Sequence, residues 1–109
     1  MIDWARVDEL RDEIGPDDFA EVIDLFLEEV DEAFARLQAG PDPEKLEDDL
    51  HFLKGGALNL GFQALAAQCQ TGEKAAADGQ AGTIDLGALC ATYQSSRNAF
   101  LADPRTKAA

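Results

Sequence analysis

Residues 51–61, HFLKGGALNLG, combine the only histidine of the 109-residue chain with a lysine three positions later and a pair of glycines. Residues i and i+3 share one face of a helix, so the imidazole of His51 and the ammonium of Lys54 would lie side by side. A neutral imidazole is a nucleophile near pH 7, and a lysine ammonium is a flexible charge that can hold a phosphoryl oxygen. The spacing therefore places a nucleophile and a cation suited to a phosphoryl oxygen on one helix face.

The residues around this pair form an outward patch on the same helix. At 100° per residue, His51, Lys54, Gly55 and Leu58 all point away from the apolar stripe. Gly55 has no side chain, so another backbone or a reacting group can approach the histidine closely, and Leu58 is the apolar residue expected to join a docking surface. Gly56 is better explained by tight packing against another helix. The residues alone also allow an idle surface histidine and a lysine that only pairs with nearby acids.

The segment HFLKGGALNLG resembles the H-x-L-K-G-x-x-x-x-x-G signature of histidine-containing phosphotransfer domains, the carriers of multistep two-component phosphorelays. The likeness extends over almost the whole chain, from about residue 4 to residue 101. The resemblance implies that His51 is the phosphoacceptor and that Lys54 stabilises the phosphoryl group. It also implies that Gly55 leaves room for a docking receiver domain.

Glu73, on a later helix, is a second candidate for the site. It projects at about 20° from Phe62, inside the apolar side of its helix, and an ionised group is almost never buried without a partner. We expect Glu73 to accept a hydrogen bond from Nδ1 of His51, which would orient the ring and leave Nε2 free as the nucleophile. Members of the resembled family similarly carry Glu or Gln at the matching position. Two alternatives stay open: Glu47 is a rival partner one turn before His51, and Glu73 could instead extend into water.

Apolar residues recur every three or four positions in five segments, which predicts an all-α fold. Short loops between them predict an antiparallel up-down-up-down four-helix bundle, with the first short helix as a lid. We expect residues 1–109 to form a single domain, with a bundle over about 3–102 and a short C-terminal tail at 103–109. The predicted helices run from an Asp3 cap to Gly15-Pro16, from near Asp17 to about Ala39, from Asp42-Pro43 to Gly61, from about Phe62 to Ala77, and from about Thr83 to Ala102.

Acidic residues dominate the first half of the chain. The whole sequence has 9 Lys and Arg against 22 Asp and Glu, a net charge of −13 at pH 7. Residues 1–50 carry 18 acids and 4 bases, whereas residues 51–109 carry 4 acids and 5 bases. This balance argues against nucleic acid or an anionic membrane as the partner, and it favours a protein.

The two cysteines and the first residues indicate the compartment. Cys69 and Cys90 lack the spacing of a metal site, so we expect small buried apolar roles in a reducing environment. The sequence MIDWARVDEL has acids where a signal peptide would carry bases, and no apolar stretch approaches the ~20 residues of a membrane span. We therefore expect a cytoplasmic protein that makes no contact with a membrane.

The resemblance implies a phosphorelay carrier of bacterial-type two-component signalling rather than an enzyme. Its expected partners are receiver domains of response regulators, with a hybrid histidine kinase as a further candidate, and the chain itself is expected to be a monomer. We expect no cofactor here, because Mg²⁺ would be held by the receiver. The sequence contains no GxxxxGK[ST] loop, so kinase activity is not expected either. The alternative is a helical bundle that binds and blocks a receiver or kinase without being phosphorylated. A hydrolytic activity is disfavoured, because the sequence has neither paired carboxylates on one helix face nor a Ser/His/Asp set.

Overall fold

A computed structural model describes residues 2–103 and 106. Over this range the chain is helical, which confirms the all-α prediction, and the one β contact is an isolated bridge between Ile2 and Phe62. Most of the predicted tail at 103–109 lies outside the described residues. The elements are α1 (Trp4–Ile14), α2 (Phe19–Ala39), α3 (Leu46–Leu60), α4 (Gln63–Ala77), a 3-10 turn (Ala81–Thr83) and α5 (Leu86–Ala102).

Aspartate side chains cap the first turns of α1 and α5. Asp3 accepts a hydrogen bond from the backbone N–H of Arg6 at 3.2 Å, and Asp85 accepts one from Ala88 at 2.9 Å. Each cap satisfies a donor that the helix itself leaves unpaired. The predicted start of α5 near Thr83 is therefore wrong, because Thr83 ends the 3-10 turn and Asp85 is the cap.

The predicted starts of α2 and α3 are also too early. Helix α2 begins at Phe19, after Asp18. Helix α3 begins at Leu46 rather than at Pro43, because Asp42 folds the next residues into a turn. Its side chain accepts from the N–H of Glu44 at 3.0 Å, and its carbonyl accepts from the N–H of Lys45 at 2.9 Å. A local aspartate turn of this kind competes with helix initiation.

The helices pack around one apolar core to which all five contribute. Helix α4 packs most extensively on α3 and also contacts α5, while α2 contacts both α3 and α5. Helix α1 lies against α2 and α3. No helix in the described part of the chain is both long and apolar enough to cross a membrane. The largest fully buried apolar side chains are Val7, Phe19, Ile23, Leu50, Leu53, Leu60, Phe62, Leu65, Cys69, Tyr93 and Phe100.

Gly61 closes α3 and holds the N-terminal segment against the turn between α3 and α4. Its φ of 76° is in the left-handed region, which glycine adopts without a steric penalty. Its carbonyl accepts a hydrogen bond from the N–H of Asp3 at 2.7 Å. A Cβ at this position would lie 2.6 Å from the carbonyl oxygen of Asp3, so two constraints require glycine here.

We expect Gly61→Ala to destabilise the fold more than Gly79→Ala. Gly79 has a nearly identical φ of 77°, but a Cβ there would meet nothing within 4 Å. Left-handed φ alone costs an L-residue roughly 1–2 kcal/mol, and the change at Gly61 must in addition displace Asp3. Urea denaturation of both variants measures the two free energies of unfolding. Equal losses would show that the N-terminal segment moves aside without cost.

Candidate functional site

Helix α4 comes close to α3 at Gly72. A Cβ at Gly72 would lie 3.0 Å from Cδ1 of Leu50, which is completely buried. The absence of a side chain therefore allows the leucine methyl group to occupy the space between the two helices. The residues that follow these two in the sequence are His51 and Glu73. The close approach of the backbones thus brings the imidazole and the carboxylate within reach of each other.

The carboxylate of Glu73 is hydrogen-bonded to one nitrogen of the histidine ring. Nδ1 of His51 lies 2.9 Å from Oε1 and 3.3 Å from Oε2 of Glu73, as the sequence predicts. An ionised carboxylate only accepts hydrogen bonds, so Nδ1 carries the proton and donates it. In the neutral ring the lone pair is then on Nε2. The His51 side chain is 71% exposed, so this nucleophilic ring is accessible to a partner.

Lys54 binds the same carboxylate. Its Nζ donates to both oxygens of Glu73, at 3.1 Å and 3.0 Å. The lysine and glutamate side chains are only 22% and 16% exposed, in contrast to the histidine. Pairing of Lys54 with a nearby acid was one of the alternatives that the residues allow, but Glu73 was not predicted as that acid, although a carboxylate that reaches His51 from α4 also lies beside the residue at i+3. Glu47, the rival partner, makes no hydrogen bond or ion pair with His51 among the described contacts.

The surroundings of Glu73 and Cys69 determine whether these two side chains are ionised. The hydrogen bond from His51, and then the one from Lys54, hold the pKa of the Glu73 carboxyl below its ordinary value, so it is ionised at neutral pH. Cys69 lies one helical turn before Glu73 and is fully buried. Burial, together with the charge of Glu73, raises the pKa of its thiol to about 12, so Cys69 packs as a neutral side chain. In the part of the chain that the structure describes, no cluster of His, Cys, Asp and Glu could hold a metal ion.

A groove of about 330 Å³ runs beside His51 between α2 and α3. Two aromatic residues of this groove are not identified by the sequence: Phe26 recurs with the apolar residues of α2, and Phe52, which is 48% exposed, follows the histidine. An aromatic residue directly after the histidine and outside the apolar stripe was the available signal. Leu58 is 57% exposed on the histidine face but does not line the groove. The lining residues are Phe26, Glu29, Val30, His51, Phe52, Gly55, Gly56 and Asn59.

The two glycines after Lys54 have different surroundings. A Cβ on Gly55 would meet nothing within 4 Å, so this position is open beside the histidine. A Cβ on Gly56 would lie 3.4 Å from Cγ2 of Val30 on α2. The prediction that Gly56 packs against another helix is therefore confirmed. The open space at Gly55 is compatible with the close approach that the sequence analysis expects there.

A comparison with known protein families identifies the family: residues 21–100 match the one described as "Hpt domain". The chain belongs to the Hpt domain family. The matched range contains α3, α4 and most of α2 and α5, and therefore the whole of the site and its groove. Searches among curated proteins and among solved structures gave no match. Membership of the Hpt family implies histidine phosphotransfer in a phosphorelay, in which Hpt domains interact with receiver domains.

We expect Glu73→Gln to destabilise this Hpt domain at pH 7, by an amount that decreases in acid. Because the pKa of Glu73 is lowered in the folded state, its carboxylate stabilises the fold fully above the unfolded-state pKa of about 4.5. That contribution is lost as the pH falls through the folded-state pKa. Urea denaturation of both proteins at a series of pH values gives the difference, with Glu47→Gln as the control. A difference that does not change with pH would contradict the lowered pKa.

Alanine at the two glycines of this Hpt domain should have different effects on stability. Gly55→Ala should raise the free energy of unfolding by about 1 kcal/mol, because alanine favours the helix interior and its methyl group meets no neighbour. Gly56→Ala should gain less or lose stability, because Val30 must move. Thermal and urea denaturation of both variants tests this. Equal gains would show that α2 accommodates the methyl group freely.

Proposed function

We propose that this Hpt domain accepts a phosphoryl group on Nε2 of His51 from the phosphoaspartate of one receiver domain and passes it to the aspartate of another. The observation that carries the proposal is the hydrogen bond from Nδ1 of His51 to Glu73, which leaves the lone pair of the neutral ring on Nε2 of a side chain that is 71% exposed. In the first step the Nε2–P bond forms as the P–O bond to the aspartate breaks. The bonding electrons leave with the aspartate carboxylate.

Lys54 and Glu73 would assist this transfer with opposite charges: the lysine acts on the phosphoryl oxygens and the glutamate acts on the histidine ring. Phosphoryl transfer requires in-line positioning and neutralisation of charge on the phosphoryl oxygens. Lys54 supplies a cation one turn from the nucleophile, and Glu73 orients the ring and stabilises positive charge that develops on it. Mg²⁺ is expected on the receiver, so we propose a carrier without a cofactor and not a kinase. Gly55 and Leu58 belong to the docking face.

The arrangement that we propose is an antiparallel up-down-up-down four-helix bundle formed by α2 to α5, with α1 as a lid. It is supported by the closed circuit of contacts, in which α2 meets α3, α3 meets α4, α4 meets α5 and α5 meets α2. Short connections between consecutive helices also favour antiparallel neighbours. Such a bundle would present the His51 face of α3 on its outside. We further propose a cytoplasmic monomer, as expected for a carrier that must meet and release its partners.

Incubation of this Hpt domain with a receiver phosphorylated by acetyl phosphate should transfer phosphate to His51. Phosphohistidine is labile in acid and stable in alkali, so mass spectrometry under alkaline conditions should place the adduct on His51. The variant His51→Gln should take up no phosphate. Lys54→Ala should slow the transfer by about tenfold or more, because it removes a cation where negative charge develops.

Lys74→Ala is the matched control for Lys54, since Lys74 is an exposed lysine at the end of α4 and, among the described contacts, makes no hydrogen bond or ion pair with His51. Phosphate retained by His51→Gln would contradict the assignment of the phosphoacceptor. Equal rates for the two lysine variants would contradict the role of Lys54. A stable complex with the receiver in which no phosphate moves would favour the blocking regulator instead.

A further inference from the structure

Among the described residues that line the groove beside His51, Glu29 is the only acidic or basic one apart from the histidine itself. The rest of the lining is apolar or small, except for Asn59. Two aromatic residues, Phe26 and Phe52, line the same groove. Leu25, which directly precedes Phe26 on α2, is 54% exposed. A carboxylate is therefore set into a surface whose other side chains favour an apolar partner.

In the described part of the chain, no lysine or arginine forms an ion pair with Glu29. Its helical neighbours at three and four positions are Leu25, Phe26, Glu32 and Ala33, none of which is basic. Among the described residues Glu29 takes part in no ion pair or side-chain hydrogen bond. In the free protein the carboxylate is exposed, so water satisfies it.

Two cations that reach the site are already bound to other acids. Lys54 donates to both oxygens of Glu73. Arg6 of α1 donates to Asn59 at 3.4 Å and so reaches the end of the groove, but its charge is paired with Glu9 and Glu13. A counter-ion for Glu29 in a contact that excludes water would therefore be supplied by the partner.

A partner that covers the groove removes water from this carboxylate. Removing water from an ionised group without giving it a counter-ion is strongly unfavourable, whereas a lysine or arginine restores charge-assisted hydrogen bonds. A docking face with a neutral or acidic residue at this place is thus penalised, and one with a basic residue is accepted. The groove would thus discriminate in two ways: a wrong partner leaves a dehydrated carboxylate unpaired, and the right partner attracts it.

We propose that Glu29 selects the receiver domain, by pairing with a lysine or arginine that projects from an otherwise apolar docking face into the groove. The inference rests on the proposed phosphotransfer function, since it takes a receiver as the occupant. Glu29 acts on recognition and does not touch the reacting atoms. Its effect should appear in the second-order rate of transfer and not in the stability of the phosphohistidine once formed.

Glu28 separates this local contact from general attraction. The 18 acids of residues 1–50 attract any basic partner over long range, and a change at either glutamate alters that attraction alike. Glu28 is the preceding residue on α2 and is also exposed, but it does not line the groove. Glu28→Lys and Glu29→Lys therefore change the net charge equally at almost the same place.

The experiment uses the full chain and the purified receiver domains of the source organism, each phosphorylated with acetyl phosphate. The receiver that phosphorylates the wild type fastest is kept, and the second-order rate is measured for wild type, Glu28→Lys and Glu29→Lys. We expect Glu29→Lys to be slower than Glu28→Lys by about tenfold or more, because like charges would face each other in a dry contact. The difference between the two variants should persist at high ionic strength, where long-range attraction is screened.

A charge exchange then identifies the partner residue. Each lysine and arginine on the docking face of the receiver is changed to glutamate, and one of these changes should restore transfer to Glu29→Lys while slowing transfer to the wild type. Circular dichroism verifies that both Hpt variants are folded. Rescue of this kind would not arise from a purely structural role of Glu29.

Other results overturn the inference in distinguishable ways. Glu29 makes no specific contact if Glu28→Lys and Glu29→Lys transfer phosphate at equal rates, or if no single receiver change rescues Glu29→Lys. In either case, transfer to the wild type would leave the proposed function intact. Absence of phosphate on the wild type with every receiver would overturn the proposed function itself. A wild-type dimer in sedimentation that Glu29→Lys dissociates would identify the groove as a contact between two copies of this chain.

Discussion

The contact between Gly72 and Leu50 determines where the charged groups of this Hpt domain lie. The leucine methyl group occupies the space that a side chain on residue 72 would need, so α4 lies close to α3. Glu73 follows directly and reaches both His51 and Lys54 at hydrogen-bond distance. The strength of such bonds falls steeply with distance and angle. A purely apolar packing detail therefore controls the tautomer of the ring and the position of the cation beside it.

The sequence predicted the number, order and C-terminal ends of the helices well, because glycines mark several of those ends. Gly15, Gly40 and Gly61 each follow the last helical residue, and Gly61 has the left-handed φ that such a cap requires. The N-terminal ends of α3 and α5 were predicted too early. Asp-Pro at 42–43 and Thr83 both fit the pattern of a helix start, and only the turn hydrogen bonds made by the residues around them decide against it.

The site was predictable to the extent that it depends on single helices. A carboxylate inside an apolar stripe required a partner, and this requirement gave the contact between Glu73 and His51. The pairing of Glu73 with Lys54 was missed, because a helical wheel gives directions but not the distance between two helices. The groove was missed for the same reason. Phe26 falls inside the apolar stripe of α2, so only the position of α2 relative to α3 shows that it also borders an opening.

The turn at Gly61 has a consequence for the order of folding. It joins two consecutive helices, so the bonds that define the site link residues only 22 and 19 positions apart, from His51 and Lys54 to Glu73. Contacts of short sequence separation need little loop closure and form early, before distant elements such as α1 and α5 must meet. His51, Lys54 and Glu73 are thus encoded by two consecutive helices, α3 and α4. A single uninterrupted piece of the gene can carry the constellation when domains are duplicated or recombined.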